Sequence, residues 1–263
     1  MNDLGHRLRR LPEDTLTALS FFSRLKVAPP SGSFDLRQSA GAWPLAGLLL
    51  AIGPALLLWL LRAAETPPLV AALVALAALA MLTGALHEDG LADTADGLGG
   101  GDSAQERLAI MRDHRLGTFG ALALAFTLLI RAAALASIAV WAGHGALALV
   151  GAAVLSRSMA LWHWNTTAPA RRDGLAWSAG RPDWLALAIG LGMGAVAALV
   201  LLIAFGVAAL IGMLAAAVGV GTLSSLAARR IGGHTGDTVG AAQQLAETLL
   251  LAGVSIGWAT IAF

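Results

Sequence analysis

The chain has no cysteine and no tyrosine, and only 13% of its 263 residues are charged. Without cysteine, neither a disulfide framework nor a thiolate metal site can form. A soluble domain would carry roughly 25% charged residues, so the low charge argues against a soluble globular protein. The net charge of +1 provides no basic field, which argues against nucleic acid as a partner.

Apolar residues make up 57% of the chain, its mean hydropathy is +0.75, and it contains 31 glycines, which let membrane helices approach closely. These features predict an all-α fold, a polytopic integral membrane bundle formed as a single domain over residues 1–263. Apolar runs of bilayer-spanning length predict about seven transmembrane helices. They cover Trp43–Leu61, Leu69–Leu86, Phe119–Trp141, Ala146–Trp162, Trp184–Phe205, Val207–Ala227 and Val239–Ala262.

Turns are expected at Pro67–Pro68, Gly143–Gly145 and Phe205–Gly206. Two further segments are predicted to lie on the membrane surface as interfacial helices. Leu16–Val27 is apolar with basic residues at its end, and Ser103–His114 opens with a capping-box pattern.

The basic residues predict the orientation of the bundle. With the N-terminus inside, every Lys and Arg except Arg62, Arg131 and Arg157 falls in a cytoplasmic segment. This orientation places the stretch His87–Gly101, the loop around Arg171 and the loop Arg229–Asp237 on the same, cytoplasmic side.

The stretch His87–Gly101, HEDGLADTADGLGGG, packs four carboxylates and five glycines into fifteen residues, directly after an apolar run. In a helix, Asp89, Asp93 and Asp96 share one face, where their charges repel unless a cation lies between them. Oxygen ligands without cysteine favour Mg²⁺ over zinc, and Mg²⁺ is commonly shared with substrate phosphates. Glu88 completes the acidic set, and the alternative is a solvated acidic loop.

A second glycine-rich stretch, Gly232–Gly240, leads into the last predicted span. Asp237 is either the N-cap of that helix or a further metal ligand. Glu247 lies inside the span, where an unpaired acid is costly. It either pairs with Arg131 or Arg157, or contacts the substrate.

Several arginines are candidates for phosphate binding. Arg115 is placed to clamp phosphate oxygens bidentately, and Arg112 either does the same or binds anionic lipid head groups. Arg24 and Lys26 are either positive-inside anchors or nucleotide contacts. Arg157 lies inside a predicted span and needs a partner.

His87 and His234 are candidate general bases, since their pKa values are within reach of neutral pH; a carboxylate beside the metal is the alternative. The pair Arg171–Arg172 is interpreted as a topology signal. Trp162 and Trp164 are interpreted as interfacial belt residues.

Four segments together closely resemble the cobalamin synthase family, also called adenosylcobinamide-GDP ribazoletransferases. They are FFSRLKV (residues 21–27), HEDGLADTADGLGGG (87–101), IMRDHRLGTFG (110–120) and HTGDTVGAAQQLAE (234–247), in the family's order. The resemblance implies a multi-pass, Mg²⁺-dependent enzyme of the bacterial inner membrane with a cytoplasmic active site. It would join adenosylcobinamide-GDP to alpha-ribazole or its 5'-phosphate and release GMP.

The resemblance and the residue chemistry together give a candidate site. Metal binding is expected of Glu88, Asp89, Asp93, Asp96 and Asp237. Catalytic roles are expected of His87, Asp89, Asp93 and Arg115. Substrate contacts are expected of Arg24, Arg112, Arg157, His234, Thr235, Gly236 and Glu247. The expected partners are the two substrates and membrane lipid, with a homo-oligomer and other corrinoid-pathway enzymes as further candidates. Glu88 departs from the family pattern, which has an apolar residue between the His and the Asp.

Other classes fit the residues less well. A CDP-alcohol phosphotransferase would have Ala-Arg where this chain has Ala92-Asp93. A UbiA-like prenyltransferase would have two acid-rich helical motifs, whereas the second here is only Asp237 with the distant Glu247. A transporter would place its charged residues near the membrane midplane rather than at one face. A purely structural partner of corrinoid enzymes would not respond to Mg²⁺ or substrate.

Overall fold

A computed structural model of the chain describes residues 3–27 and 35–257, and within them all the regular elements are helical. A 3-10 turn, Ala40–Ala42, leads into α3. The α-helices are α1 Asp3–Phe22, α2 Leu36–Ser39, α3 Trp43–Ala63, α4 Pro68–Thr83, α5 Leu86–Gly99, α6 Ala104–Ile110, α7 Thr118–Ile138, α8 Ala142–Thr166, α9 Gly174–Ala179, α10 Trp184–Phe205, α11 Val207–Ile231 and α12 Gly236–Val254. The predicted all-α fold is confirmed.

Five segments of the described chain are long and apolar enough to cross a membrane: Leu36–Ala63, which includes α3, and the helices α7, α8, α10 and α11. The chain is therefore a multi-pass membrane protein. A sixth crossing is counted if α4 and α5 form one bent span. The structure thus supports five or six spans rather than about seven, and the two differences have identifiable causes.

The first difference is a break in the second predicted span, Leu69–Leu86. Helix α4 ends at Thr83, and both Gly84 (φ 66°) and Ala85 (φ 56°) take left-handed backbone conformations. For Ala85 this conformation costs about 1–2 kcal/mol. The chain turns by 89° into α5, so the acidic stretch forms a helix of its own, outside the five crossing helices.

The second difference is α12, which covers most of the predicted span Val239–Ala262. It is not among the apolar crossing helices, because it carries Gln243, Gln244 and Glu247. These side chains are buried, since α12 packs against α5, α7, α8 and α11 in the middle of the bundle. Residues 258–262 of the predicted span lie outside the described residues.

The shorter elements follow the sequence more closely. Chain reversals occur at Pro67 and at Gly206 as expected, but Gly143–Gly145 lies inside α8 rather than in a turn. Helix α1 begins well before the predicted segment Leu16–Val27 and buries one face against the bundle. Helix α6 is shorter than predicted and has the expected capping box between Ser103 and Glu106.

Close helix crossings depend on glycine. A Cβ atom placed on Gly253 of α12 would overlap the Cα atom of Gly212 on α11. Small residues at such crossings allow the van der Waals packing that drives helix association in membranes. This contact fixes the C-terminal end of α12 against α11.

We expect Gly253→Ala to lower the free energy of unfolding by about 1–3 kcal/mol, because the added methyl group has no room without backbone movement. Gly221→Ala on α11 is the matched control, since its Cβ would have no neighbour within 4 Å. Unfolding of the detergent-solubilised variants would measure both. Equal stability of the two variants would contradict this description of the crossing.

Candidate functional site

Helices α5 and α12 meet at two glycines. A Cβ on Gly90 would lie 2.8 Å from the carbonyl oxygen of Asp237, and a Cβ on Gly240 would lie 3.4 Å from the Cα of His87. The two backbones are therefore in near contact at this crossing. It brings Asp89, next to Gly90, to the N-terminal end of α12, where Asp237 lies in the first turn.

Asp89, Asp93 and Asp237 form a group of mutually repelling carboxylates, which we call the acidic cluster. The pKa of Asp93 is raised to about 6, first by burial and then by the charges of Asp89, Asp237 and Asp96. Burial also raises the pKa of Asp237, against the opposing effect of Arg171. Such a concentration of negative charge is costly without a cation.

The acidic cluster offers oxygen atoms only, which suits a hard divalent cation. Among the described residues, no group of three or more His, Asp or Glu side chains is arranged to hold a metal ion by itself. Mg²⁺ usually keeps several waters and is held by one or two carboxylates plus substrate phosphates. The cluster therefore fits a cation shared with a phosphorylated substrate better than a closed structural site.

Asp96 has a different partner from the one predicted. Its carboxylate accepts hydrogen bonds from the backbone N–H groups of Gly117 and Gly120, both at 2.8 Å, at the start of α7. A carboxylate satisfies the free amides of a helix N-terminus and complements its dipole. The placement of Asp96 is thus structural, although it stands on the same helix as Asp89 and Asp93.

Glu88 and Glu247 both turn to Arg131 inside the bundle. Glu247 lies 3.1 Å from the Arg131 guanidinium and accepts a hydrogen bond from Gln243 at 2.7 Å. Glu88 lies 3.7 Å from the same guanidinium and accepts one from Gln244 at 3.1 Å. Of the alternatives for Glu247, the structure shows the pairing with Arg131. Glu88 is directed away from the acidic cluster, which separates it from the predicted metal ligands.

Two backbone hydrogen bonds join the loop before α9 to the loop before α12. The His234 N–H donates to the Ala168 carbonyl at 2.8 Å, and the Ala170 N–H donates to the His234 carbonyl at 2.8 Å. A Cβ on Gly233 would overlap that Ala168 carbonyl, so the approach requires glycine. The His234 ring is buried against Thr167, and burial lowers its pKa to about 4. His234 is therefore a neutral residue that holds this loop.

This fastening brings Arg171 to the acidic cluster. Its guanidinium lies 3.7 Å from Asp237, whose carboxylate also accepts a hydrogen bond from the Thr235 hydroxyl at 3.1 Å. Thr235 thus orients Asp237. The sequence interpretation of Arg171 as a topology signal missed this contact, because the fastening joins loops far apart in the chain.

The predicted phosphate-binding arginines have other partners. Arg115 pairs with Asp113 at 2.6 Å and is 88% exposed, and this pairing holds the pKa of Asp113 at about 2. Arg112 pairs with Asp173 at 2.6 Å in an exposed position. Arg24 is exposed and lies over Gly84 at the bend between α4 and α5.

A cavity of about 190 Å³ adjoins the acidic cluster and is lined in part by Asp89 and Asp237. Its other walls are aromatic: the rings of Trp43 and Trp164 stack with centroids 4.8 Å apart, and Phe22 packs edge-on against Trp43 at 5.0 Å. Trp164 is therefore buried in the protein, not part of an interfacial belt. In the sequence, nothing except the position of Trp43 and Trp164 near the ends of predicted spans indicated that they line a cavity.

Three predicted site residues also line this cavity. His87 stacks on Phe22 at 5.3 Å. The guanidinium of Arg157 lies 5.7 Å from the centre of the Phe22 ring and donates to the Ala153 carbonyl at 3.0 Å. Gly236 lies beside Asp237. The cavity is thus an aromatic chamber with the carboxylates of Asp89 and Asp237 at one wall.

The fold and the site define a polytopic helical membrane protein with an acidic, aromatic-lined pocket. The family model for cobalamin-5-phosphate synthase matches residues 14–255. The chain belongs to that family, which confirms the resemblance carried by its motifs.

Relatives in several bacteria match nearly the whole chain, and each is named adenosylcobinamide-GDP ribazoletransferase. The protein of Rhizobium etli (strain CIAT 652) is 48% identical over 245 residues, 90% of this chain and 94% of its own. The protein of Sinorhizobium medicae is 42% identical over 259 residues, which are 95% of this chain and 98% of its own. The protein of Brucella anthropi is 43% identical over 248 residues, which are 92% of this chain and 95% of its own. No solved structure matches the chain.

The two kinds of acid on α5 should respond oppositely to neutralisation. We expect Asp96→Asn to lower the free energy of unfolding by about 1–3 kcal/mol, since the amide NH₂ would face a backbone N–H donor. Asp93→Asn should leave stability unchanged or raise it, because it removes repulsion within the acidic cluster. Unfolding of both variants in detergent without divalent cations measures this. The reverse order of stability would show that their roles have been exchanged.

Proposed function

We propose that this chain is a membrane transferase that joins adenosylcobinamide-GDP to alpha-ribazole or its 5'-phosphate, giving adenosylcobalamin or its 5'-phosphate and GMP. Its membership of the cobalamin-5-phosphate synthase family and the names of its relatives support this function. The structural observation that carries it is the electrostatic coupling of Asp93 to Asp89 and Asp237 beside an aromatic-lined cavity of about 190 Å³.

In the proposed reaction, the 3'-hydroxyl oxygen of the ribazole attacks the phosphorus bonded to the cobinamide arm. A new P–O bond forms as the P–O bond to the GMP phosphate breaks, and GMP leaves with the electron pair. The hydroxyl proton passes to a base, for which Asp89 and His87 both line the cavity. Burial, reinforced by Arg157 and Arg131, lowers the pKa of His87 and keeps the ring neutral.

We further propose that one or two carboxylates of the acidic cluster, drawn from Asp89, Asp93 and Asp237, would hold Mg²⁺ together with the substrate phosphates, where it would neutralise the charge of the diphosphate. The protein's own contribution is mainly positioning, as in other phosphoryl transfers. Thr235 orients Asp237, and Asp96 fixes the start of α7 against α5. Arg171 is the cation beside the cluster, and we propose it, rather than the exposed Arg115, as the phosphate contact.

We place the protein in the bacterial inner membrane with its N-terminus and the acidic cluster facing the cytoplasm. The distribution of Lys and Arg supports this orientation. Exposed apolar side chains on the crossing helices, such as Leu129 and Ile203, would contact lipid.

Neutralising the acidic cluster should abolish the reaction without unfolding the protein. We expect Asp89→Asn and Asp93→Asn each to lower GMP release from adenosylcobinamide-GDP and alpha-ribazole by at least about 100-fold, as loss of transition-state charge stabilisation does elsewhere. Asp102→Asn makes the same charge change at an exposed position in the following loop and is the control. Near-normal turnover of both cluster variants would reject the assignment.

Mg²⁺ binding has a readout that does not depend on turnover. We expect Mg²⁺ to raise the thermal unfolding temperature of the wild-type protein, because it relieves repulsion in the folded state only. The double variant Asp89→Asn/Asp93→Asn should lose this shift, and Asp102→Asn should keep it. A shift of equal size in the double variant would place the cation elsewhere.

A further inference from the structure

Aromatic and aliphatic side chains form most of the lining of the cavity beside the acidic cluster, which neither a diphosphate nor a metal ion requires. The rings of Trp43 and Trp164 stack on each other, 13° apart, and Phe22 and His87 form a second stacked pair at 24°. An aromatic lining of this kind binds flat aromatic rings through ring contacts and by burial of apolar surface. The remaining lining includes Ala176 and Ala179 of α9.

Three buried N–H groups of the cavity-lining residues have no acceptor among residues 3–27 and 35–257. They are Nε1 of Trp43, Nε1 of Trp164 and Nε of Arg157. The three residues are only 4%, 3% and 2% exposed. A buried donor without a partner is rare in a folded protein and destabilises it. Such donors around one cavity therefore point to a ligand that supplies at least one acceptor.

We propose that this cavity is the subsite for the aromatic base of the acceptor nucleoside, and this rests on the function proposed above. The benzimidazole ring of alpha-ribazole is flat and apolar, and its one free ring nitrogen is an acceptor. It lies within the aromatic chamber, where that nitrogen accepts a hydrogen bond from the indole N–H of Trp43 or of Trp164. The ribose then lies toward Asp89 and Asp237, where its 3'-hydroxyl reaches the reacting phosphate.

The shape of the ligand and its acceptor nitrogen can be tested separately on the wild-type protein. We expect 1-methylbenzimidazole to inhibit competitively against alpha-ribazole but not against adenosylcobinamide-GDP. The isosteric 1-methylindole, which lacks the acceptor nitrogen, should inhibit about threefold to tenfold more weakly. Equal inhibition by the two compounds, or competition with adenosylcobinamide-GDP, would overturn the proposal.

Variants then locate the subsite. Trp43→Phe and Trp164→Phe keep an aromatic wall and remove one donor each. The variant that loses the donor bonded to the ring nitrogen should raise the Kd and the KM for alpha-ribazole by about threefold to tenfold, and the other variant should change them little. The KM for adenosylcobinamide-GDP should not change. Trp162→Phe is the control on the same helix as Trp164, since Trp162 is 38% exposed and does not line this cavity.

The outcomes separate the subsite from the function. Wild-type GMP release with unchanged alpha-ribazole affinity in both cavity variants would overturn the subsite and leave the function intact. Failure of the wild-type protein to release GMP from the two substrates would overturn the function itself. If a variant does not fold, the wild-type comparison of the two inhibitors still decides the question.

Discussion

The site depends on one backbone contact, the crossing of α5 and α12 at Gly90. An acidic helix and a helix N-terminus from the far end of the chain meet there with no side chain between them. Small residues make such an approach possible, and dense packing on both sides maintains it. Without it, Asp89 and Asp93 would form an ordinary acidic patch, and Asp237 would be only a residue in the first turn of a buried helix.

Helix α5 distributes its four carboxylates among three environments. Asp96 is satisfied by the amides of α7, and Glu88 is turned toward Arg131. Asp89 and Asp93 have no such partner within the described part of the chain and lie beside Asp237. The three carboxylates repel one another, and the charge of Arg171 offsets this repulsion only in part. Perturbed groups of this kind cluster at functional sites. Within the fourteen residues of α5, Asp96 and Glu88 therefore hold neighbouring helices, whereas Asp89 and Asp93 face the acidic cluster.

The sequence predicted the all-α membrane fold, the acidic helix face and the family, because apolar run length and local carboxylate spacing are properties of neighbouring residues. It did not predict the bend at Gly84–Ala85, since Ala85 adopts a backbone conformation that its residue type disfavours. It also missed Arg171, Trp43 and Trp164 as site residues. Their positions depend on the fastening of two distant loops and on the packing of separate helices, neither of which leaves a periodic signal.

The guanidinium of Arg131 is the common counter-charge of Glu88 on α5 and Glu247 on α12, so it ties α7 to both helices of the site. Losing it alone would strand two acids in a low-dielectric interior, which is strongly unfavourable. An apolar residue at position 88 would instead leave Arg131 and Glu247 as a balanced pair, so position 88 tolerates the loss of its charge better than position 131 does.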